Sequence, residues 1–320
     1  MDAHPVIVVL GPTGSGKSDL ALRIAEEFSG EVINCDSLQI YRYFDLGTAK
    51  LRPQDRRGIP HHIIDILDPD QVFTAGEYAR LARGVLAEVN GRGRLPVIAG
   101  GTGFYVRALL DGLFPGPSRD EALRERLIER ERKRPGSIHR LLARFDPQAS
   151  RRIHPNDIRK LVRALEVCLL TRRPVTDLFR EGRDSLQGFR PLKIGLGPPR
   201  DLLYQRLDRR AGQMFDNGLV EEVQSILARG FPASAKPFES HGYRQALQVL
   251  SGELSIKEAV FYAQRNTRRY AKRQMTWFRQ ETQIEWHSGF GDDPGIQQAV
   301  LARIGEFLSG FRSTGTVSRN

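Results

Sequence analysis

The apolar run Val6-Ile7-Val8-Val9-Leu10 leads straight into Gly11-Pro12-Thr13-Gly14-Ser15-Gly16-Lys17-Ser18, and no other stretch restricts the fold so tightly. The spacing is GxxxxGK[ST]. Its glycines let successive backbone N–H groups turn inward toward phosphate oxygens, the lysine adds a cation, and the hydroxyl offers a ligand to Mg²⁺. A helical pattern follows, with Leu20, Leu22, Ile24, Ala25 and Phe28 as its apolar positions. A buried strand, a phosphate cradle and a helix in that order predict an α/β fold with a P-loop NTPase-like parallel sheet flanked by helices. The motif leaves open whose phosphates it holds.

The first hundred residues alternate short apolar runs with helical patterns, as a helix-covered parallel sheet requires. The expected strands are 6–10, 31–35, 62–66, 96–99 and, much later, 192–196, with helices after the loop, over 75–90 and over 104–110. After the Pro/Gly-rich turn region 111–118 the character shifts to charged, helix-favouring stretches over 120–134, 138–145 and 157–170. Because 192–196 reads as one more core strand, residues 118–190 are expected to form an all-helical insertion. The core would then comprise 1–117 and a mostly helical 191–310, with helices to about residue 280 and a disordered tail over 311–320.

Of the 320 residues, 40% are hydrophobic, ample for a core. No run approaches the roughly 18 apolar residues of a membrane span, and Asp2 followed at once by a strand is unlike a signal peptide. Cys35 and Cys168, far apart in apolar surroundings, suggest reduced, buried thiols and a cytoplasmic setting. The seven histidines have no metal-ligand spacing.

The net charge of +11 is unevenly distributed. Between Arg119 and Arg183 there are 18 basic and 10 acidic residues, and between Arg265 and Arg279 there are 6 basic residues and no acidic one. A solvated basic face is one reading of either segment alone. Two of them beside a phosphate loop favour a nucleic-acid partner. In the second, Arg265, Arg268, Arg269, Lys272, Arg273 and Arg279 recur at three- and four-residue spacing, with Tyr270, Trp277 and Phe278 able to pack or stack.

Other candidates follow strand ends. Asp36-Ser37 ends the second strand, which brings it to the carboxyl edge where open α/β sheets bind ligands. Asp36 is either a general base or a turn aspartate, and position alone does not choose. Gly100-Gly101-Thr102-Gly103 ends another strand, with Thr102 offering a hydroxyl, though a plain strand-to-helix turn would read the same. A Walker B acid is hard to find; Asp65 comes nearest. Arg210, within the helical pattern 202–214, is a further cation able to reach the centre or to remain in solvent.

Taken in order, these pieces resemble the tRNA dimethylallyltransferase (tRNA isopentenyltransferase) family. The resemblance spans nearly the whole chain. It rests on Gly11–Ser18, on Asp36-Ser37-Leu38-Gln39-Ile40-Tyr41-Arg42 with Asp45–Lys50, on His61–Asp65, and on Gly100–Tyr105. It continues through Ile153–Asp157, Arg163–Val167, Gly242-Tyr243-Arg244 and Lys272–Arg279. It implies a cytoplasmic bacterial-type prenyltransferase, monomeric and without an obligate protein partner, that moves the five-carbon group of dimethylallyl diphosphate to the exocyclic amine of the adenosine 3′ of the anticodon. The phosphate loop would hold the diphosphate, with Ser18 on Mg²⁺. Asp36 would be the base, Thr102 and Arg210 its catalytic partners. Contacts to the tRNA anticodon arm would come from Asp36, Ser37, Leu38, Gln39, Thr102, Arg124 and the segment Arg159-Lys160-Leu161-Val162-Arg163.

The chain departs from the family at His241, where an apolar residue is common; the carboxyl-terminal zinc finger that eukaryotic members often carry is not expected here, which fits a bacterial-type enzyme. A nucleoside or small-molecule kinase with a basic lid would explain the loop and the arginines. It would not explain the second basic helix or the pairing of Asp36–Gln39 with Gly100–Gly103. An RNA-binding module would explain the charge and leave the edge residues idle.

Overall fold

The computed structural model describes residues 3–312. A six-stranded sheet in the order β3-β2-β4-β1-β5-β6 forms the centre. Its strands are β1 (His4–Leu10), β2 (Gly30–Asn34), β3 (His61–His62), β4 (Leu95–Gly100), β5 (Phe189–Leu196) and β6 (Ile284–His287), and every pairing is parallel. Strands buried on both faces need continuous apolar sequence, and Val6 to Leu10 are at most 1% exposed. Ile7 and Val9 join Leu20, Ile24, Val300 and Ile304 in one cluster; Val6 and Val8, pointing to the opposite face, are equally buried.

Helices α1 (Lys17–Glu27), α2 (Ala75–Gly91) and α3 (Gly103–Leu110) follow the strands as expected. The entry to α2 is fixed by a capping box in which Glu77 N–H donates to Thr74 Oγ1 and Thr74 N–H donates to Glu77 Oε2. A separate helical unit intervenes before β5. After β5 come α9 (Arg200–Asp216), α10 (Leu219–Ala228), α11 (Tyr243–Leu250), α12 (Ile256–Phe278) and α13 (Pro294–Arg312). None of the described helices is long and apolar enough to cross a membrane.

Two parts differ from the sequence expectation. The strand expected over 62–66 stops at His62, because Ile63 and Asp65 adopt left-handed backbone with φ of 59° and 57°. The turn brings Asp65 to the buried ammonium of Lys50 at 2.6 Å. Asp65 is thus committed to an ion pair, which removes the nearest candidate for a metal-binding carboxylate. At the other end, β6 and α13 continue the fold beyond residue 280. β6 has only four residues, too few to show a period, and α13 packs Val300 and Ile304 into the sheet cluster. Of the tail expected to be disordered, 311–312 complete α13, and 313–320 lie outside the described residues.

Residues Leu110–Ser185 form a compact unit of their own, built from α4 (Glu121–Lys133), α5 (Ser137–Phe145), α6 (Pro147–Arg152), α7 (Ile158–Thr171) and α8 (Val175–Arg180). Its core includes Leu127, Ile138, Leu142, Leu161, Val162 and Leu165. The preceding turn region belongs to it, since the Phe114 ring meets Phe179 edge-on at 4.6 Å. At the centre, the fully buried Glu166 carboxylate accepts from Arg124 Nε at 2.7 Å and Nη2 at 2.9 Å, from Arg163 Nη1 at 2.6 Å and from Asp120 N–H at 2.8 Å. Burial alone would push this carboxyl up; the two guanidinium groups and the amide outweigh it and hold it at about 2.

This arrangement divides the residues that the resemblance places against tRNA. Leu161 and Val162, expected at a tRNA surface, are core residues, and Arg124 and Arg163 are tied to Glu166. Helical periodicity is the reason: positions 161, 162, 165 and 166 fall on the inward face of α7 and leave Arg159 and Lys160 exposed. Replacing Glu166 with Ala strands two guanidinium groups and is expected to cost about 3 kcal/mol, read as a lower melting temperature and faster amide exchange within 110–185. The stabilisation from this carboxylate is present above its ordinary value of 4.5 and lost as pH falls through about 2. Glu166→Gln should therefore flatten that part of the acid dependence.

Candidate active site at the carboxyl edge of the sheet

Leu10 lies in register with Gly100 of β4 and Gly195 of β5, so the loops leaving β1 and β4 emerge side by side. The loop Gly11–Ser18 wraps the start of α1. Gly16 has φ of 82°, and a Cβ there would lie 2.7 Å from both Asp292 Oδ1 and Gly291 N. Only glycine fits this position. The loop's outer side is braced from the end of the chain, with Gly291 N–H donating to Ser15 O at 2.8 Å and Asp292 paired with Arg206 at 2.7 Å. Inside, the Ser15 hydroxyl is buried and has no hydrogen-bond partner among the described residues.

Two cations face this loop. Lys17 Nζ donates to Pro12 O at 2.8 Å, and Arg210 Nη2 donates to Thr13 Oγ1 at 2.7 Å. Burial pulls Lys17 down to about 8, with Asp36 opposing and Arg210 adding to the fall. Burial likewise lowers Arg210 to about 10, helped by Arg206 and opposed by Asp36. Lys17, Arg210 and Asp36 therefore share one electrostatic neighbourhood, in which two desolvated cations are short of negative charge. Arg210, whose position in the sequence left it between solvent and the centre, is at the centre.

Asp36 and Thr102 meet across the neighbouring strand ends. Thr102 N–H donates to Cys35 O at 3.2 Å, Ser37 N–H donates to Thr102 Oγ1 at 3.0 Å, and Thr102 Oγ1 donates to Ser37 Oγ at 3.3 Å. Asp36 Oδ1 accepts Leu38 N–H at 2.9 Å, so one carboxylate oxygen holds the turn. No hydrogen bond to the other oxygen is present among the described residues. The turn and base readings of Asp36 are thus compatible, because they use different oxygens. Cys35, directly beside it, is a buried thiol pushed up to about 12 by burial first and by Asp36, which makes it unreactive.

The following segment is pinned from below. Gln39 Nε2 donates to Thr48 O at 3.1 Å, and Phe44 packs against Tyr243 at 4.6 Å. Leu46 N–H donates to Glu222 at 2.9 Å, and Gly47 N–H donates to the Tyr243 hydroxyl at 3.1 Å. Along α12, Arg269, Lys272 and Arg273 are exposed, as is Arg279 at its carboxyl-terminal cap. Arg265 stacks on Tyr262 at 4.8 Å and Arg268 pairs with Asp208, so these two are turned to the protein. His241 packs its ring 5.5 Å from Tyr270, and burial followed by the Arg273 charge lowers its basicity and favours the neutral ring.

Sequence reasoning missed Gln274, which touches both loops, and the Gly291-Asp292 brace. Neither carries a local signal: one is a single amide in a basic helix, the other a turn after a four-residue strand. Among the described residues no cluster of three or more His, Cys, Asp or Glu side chains could hold a metal.

The IPP transferase family model matches residues 39–281. The chain is 62% identical over 304 residues to a tRNA dimethylallyltransferase of Solibacter usitatus, covering 95% of this chain and 99% of the relative. It is 54% identical over 292 residues to a tRNA dimethylallyltransferase of Koribacter versatilis, covering 91% and 95%. The crystal structure of the full-length tRNA isopentenylpyrophosphate transferase of Bacillus halodurans is similar with a TM-score of 0.70 at 35% identity, covering 96% of each chain. A eukaryotic dimethylallyltransferase acting on tRNA is similar with a TM-score of 0.83 at 26% identity, covering 96% of this chain and 80% of that one. With a helix-flanked parallel sheet that carries a glycine loop, Asp36 and Thr102 on one edge, the chain belongs to the IPP transferase family and is an enzyme of the tRNA dimethylallyltransferase class.

Proposed function

We propose that the glycine loop grips the diphosphate of dimethylallyl diphosphate while the exocyclic amine of the adenosine 3′ of the anticodon attacks the first prenyl carbon. The observation that carries this reading is the cation pair Lys17 and Arg210, both lowered by burial, beside a carboxylate with one uncommitted oxygen. A diphosphate supplies the negative charge that both cations lack, and its charge grows as the carbon–oxygen bond breaks. The unpartnered Ser15 hydroxyl gives the loop one further donor. Mg²⁺, held by Ser18 and the diphosphate itself, would supply further neutralisation of the leaving group.

Asp36 accepts the amine proton through the oxygen that the turn does not use, and orients the nucleophile. Thr102 holds Ser37, the next residue, and so fixes the angle of the carboxylate. The adenine must leave the RNA stack to reach this edge. Arg269, Lys272 and Arg273 of α12 with the adjoining Arg279, and Arg159 and Lys160 of the helical unit, are exposed cations able to follow the RNA backbone. Ser37, Leu38 and Gln39 line the same edge. The enzyme acts as a cytoplasmic monomer in this reading.

Unmodified tRNA, Mg²⁺ and labelled dimethylallyl diphosphate should yield tRNA labelled at that adenosine. ATP hydrolysis without label would sink the reading. Asp36→Asn preserves an oxygen for Leu38 N–H and removes the base, so turnover should fall about a hundredfold with little change in tRNA affinity; near-normal turnover would leave Asp36 as a turn residue only. Charge reversal at Arg159 and Lys160 together should weaken tRNA binding and lower the slope of log affinity against log salt by about one for each phosphate no longer neutralised. An unchanged slope would mean that α7 does not meet RNA.

A further inference from the structure

We infer that Gln274 is a positioning residue that holds the diphosphate loop and the base-side turn in fixed register, so that the prenyl carbon and the attacking amine meet in line. This role rests on the prenyl transfer proposed for the site. Gln274 is 7% exposed on α12 and makes one bond to each side. Its Oε1 accepts Thr13 N–H at 2.8 Å, and its Nε2 donates to Gly101 O at 2.8 Å.

Each partner is one step from a reacting group. Thr13 also binds Arg210 through its hydroxyl, on the diphosphate side. Gly101 precedes Thr102, which binds the Ser37 backbone next to Asp36. The two loops leave different strands, and beyond the paired Leu10 and Gly100 no ladder bond fixes their relative height. A single primary amide spans the gap because it offers an acceptor and a donor on one planar group. The fit is close: a Cβ on Gly101 would collide with the Gln274 amide nitrogen.

The location on α12 adds a second role. Lys272 and Arg273, immediately before Gln274, are exposed, and Tyr270 lies in the field of Asp36. RNA engagement on the outer face of this helix therefore bears on the same element that sets the inner alignment, which is how remote binding energy can be directed into orientation.

Wild type, Gln274→Glu and Gln274→Met would be compared as full-length enzymes by single-turnover prenylation of tRNA, tRNA affinity by filter binding, KM for dimethylallyl diphosphate and thermal melting. The carboxylate keeps the acceptor for Thr13 and loses the donor to Gly101; the thioether loses both. Both variants are expected to lose about 30- to 100-fold in single-turnover rate, the scale of an ångström-size misalignment, while tRNA affinity and KM change by less than about threefold. Rates within threefold of wild type in either folded variant would overturn the inference. So would a loss confined to tRNA affinity or to KM. If the wild type itself fails to prenylate tRNA, the functional reading fails instead, and the two failures remain distinct.

Discussion

The desolvated cation pair of Lys17 and Arg210 is the constraint around which the rest of the structure is arranged. Two positive groups held near each other with little water oppose folding, and their lowered proton affinities record that cost. They persist because the fold determines their positions from several directions at once. The β1–α1 junction fixes Lys17, α9 brings in Arg210, and Thr13 joins them by accepting from Arg210. Asp36 offers partial compensation from the end of β2. In the proposed reaction a diphosphate completes the charge balance and gains charge as it leaves.

Bracing of the loop is distributed over the chain in a way that explains its length. Residues 284–312 lie outside the region matched by the family model, yet they supply β6 at the sheet edge, α13 across α1, and the Gly291-Asp292 turn against Ser15 and Gly16. The segment after Asp36 is held in the same manner from α10 and α11, where Glu222 and Tyr243 together satisfy the backbone N–H groups of Leu46 and Gly47. Without such partners a loop this irregular would leave buried amides unpaired. Precision at the edge thus comes from elements that touch no reacting atom.

The sheet and the two loops were legible because each is encoded locally. An apolar run followed by glycines marks a strand end, and strand ends of a parallel sheet share an edge. The placement of Asp36 and Thr102 on that edge was readable for that reason, while the sequence around Arg210 left it open between the centre and solvent. What depends on long-range pairing was not legible. Gln274 joins residues 261 and 173 positions away, and nothing in its neighbours singles it out. The extended run after His62 was overridden by Asp65 turning to Lys50. Net charge over the basic segment 119–183 does not distinguish an arginine on the surface from one that serves a buried carboxylate.

That distinction separates two uses of positive charge in this enzyme. Arg124 and Arg163 are occupied by Glu166 and Arg268 by Asp208, so their charge serves the fold and contributes little to the outer field. Lys17 and Arg210 are directed at the loop, where they act at short range and are only weakly screened. Arg269, Lys272, Arg273 and Arg279 remain at the surface, where their pull on a polyanion is long-range and sensitive to salt. In the proposed reaction, affinity for RNA and stabilisation of the leaving group thus rest on different residues. Each can change without the other, except through α12, the helix that carries exposed cations and the Gln274 amide together.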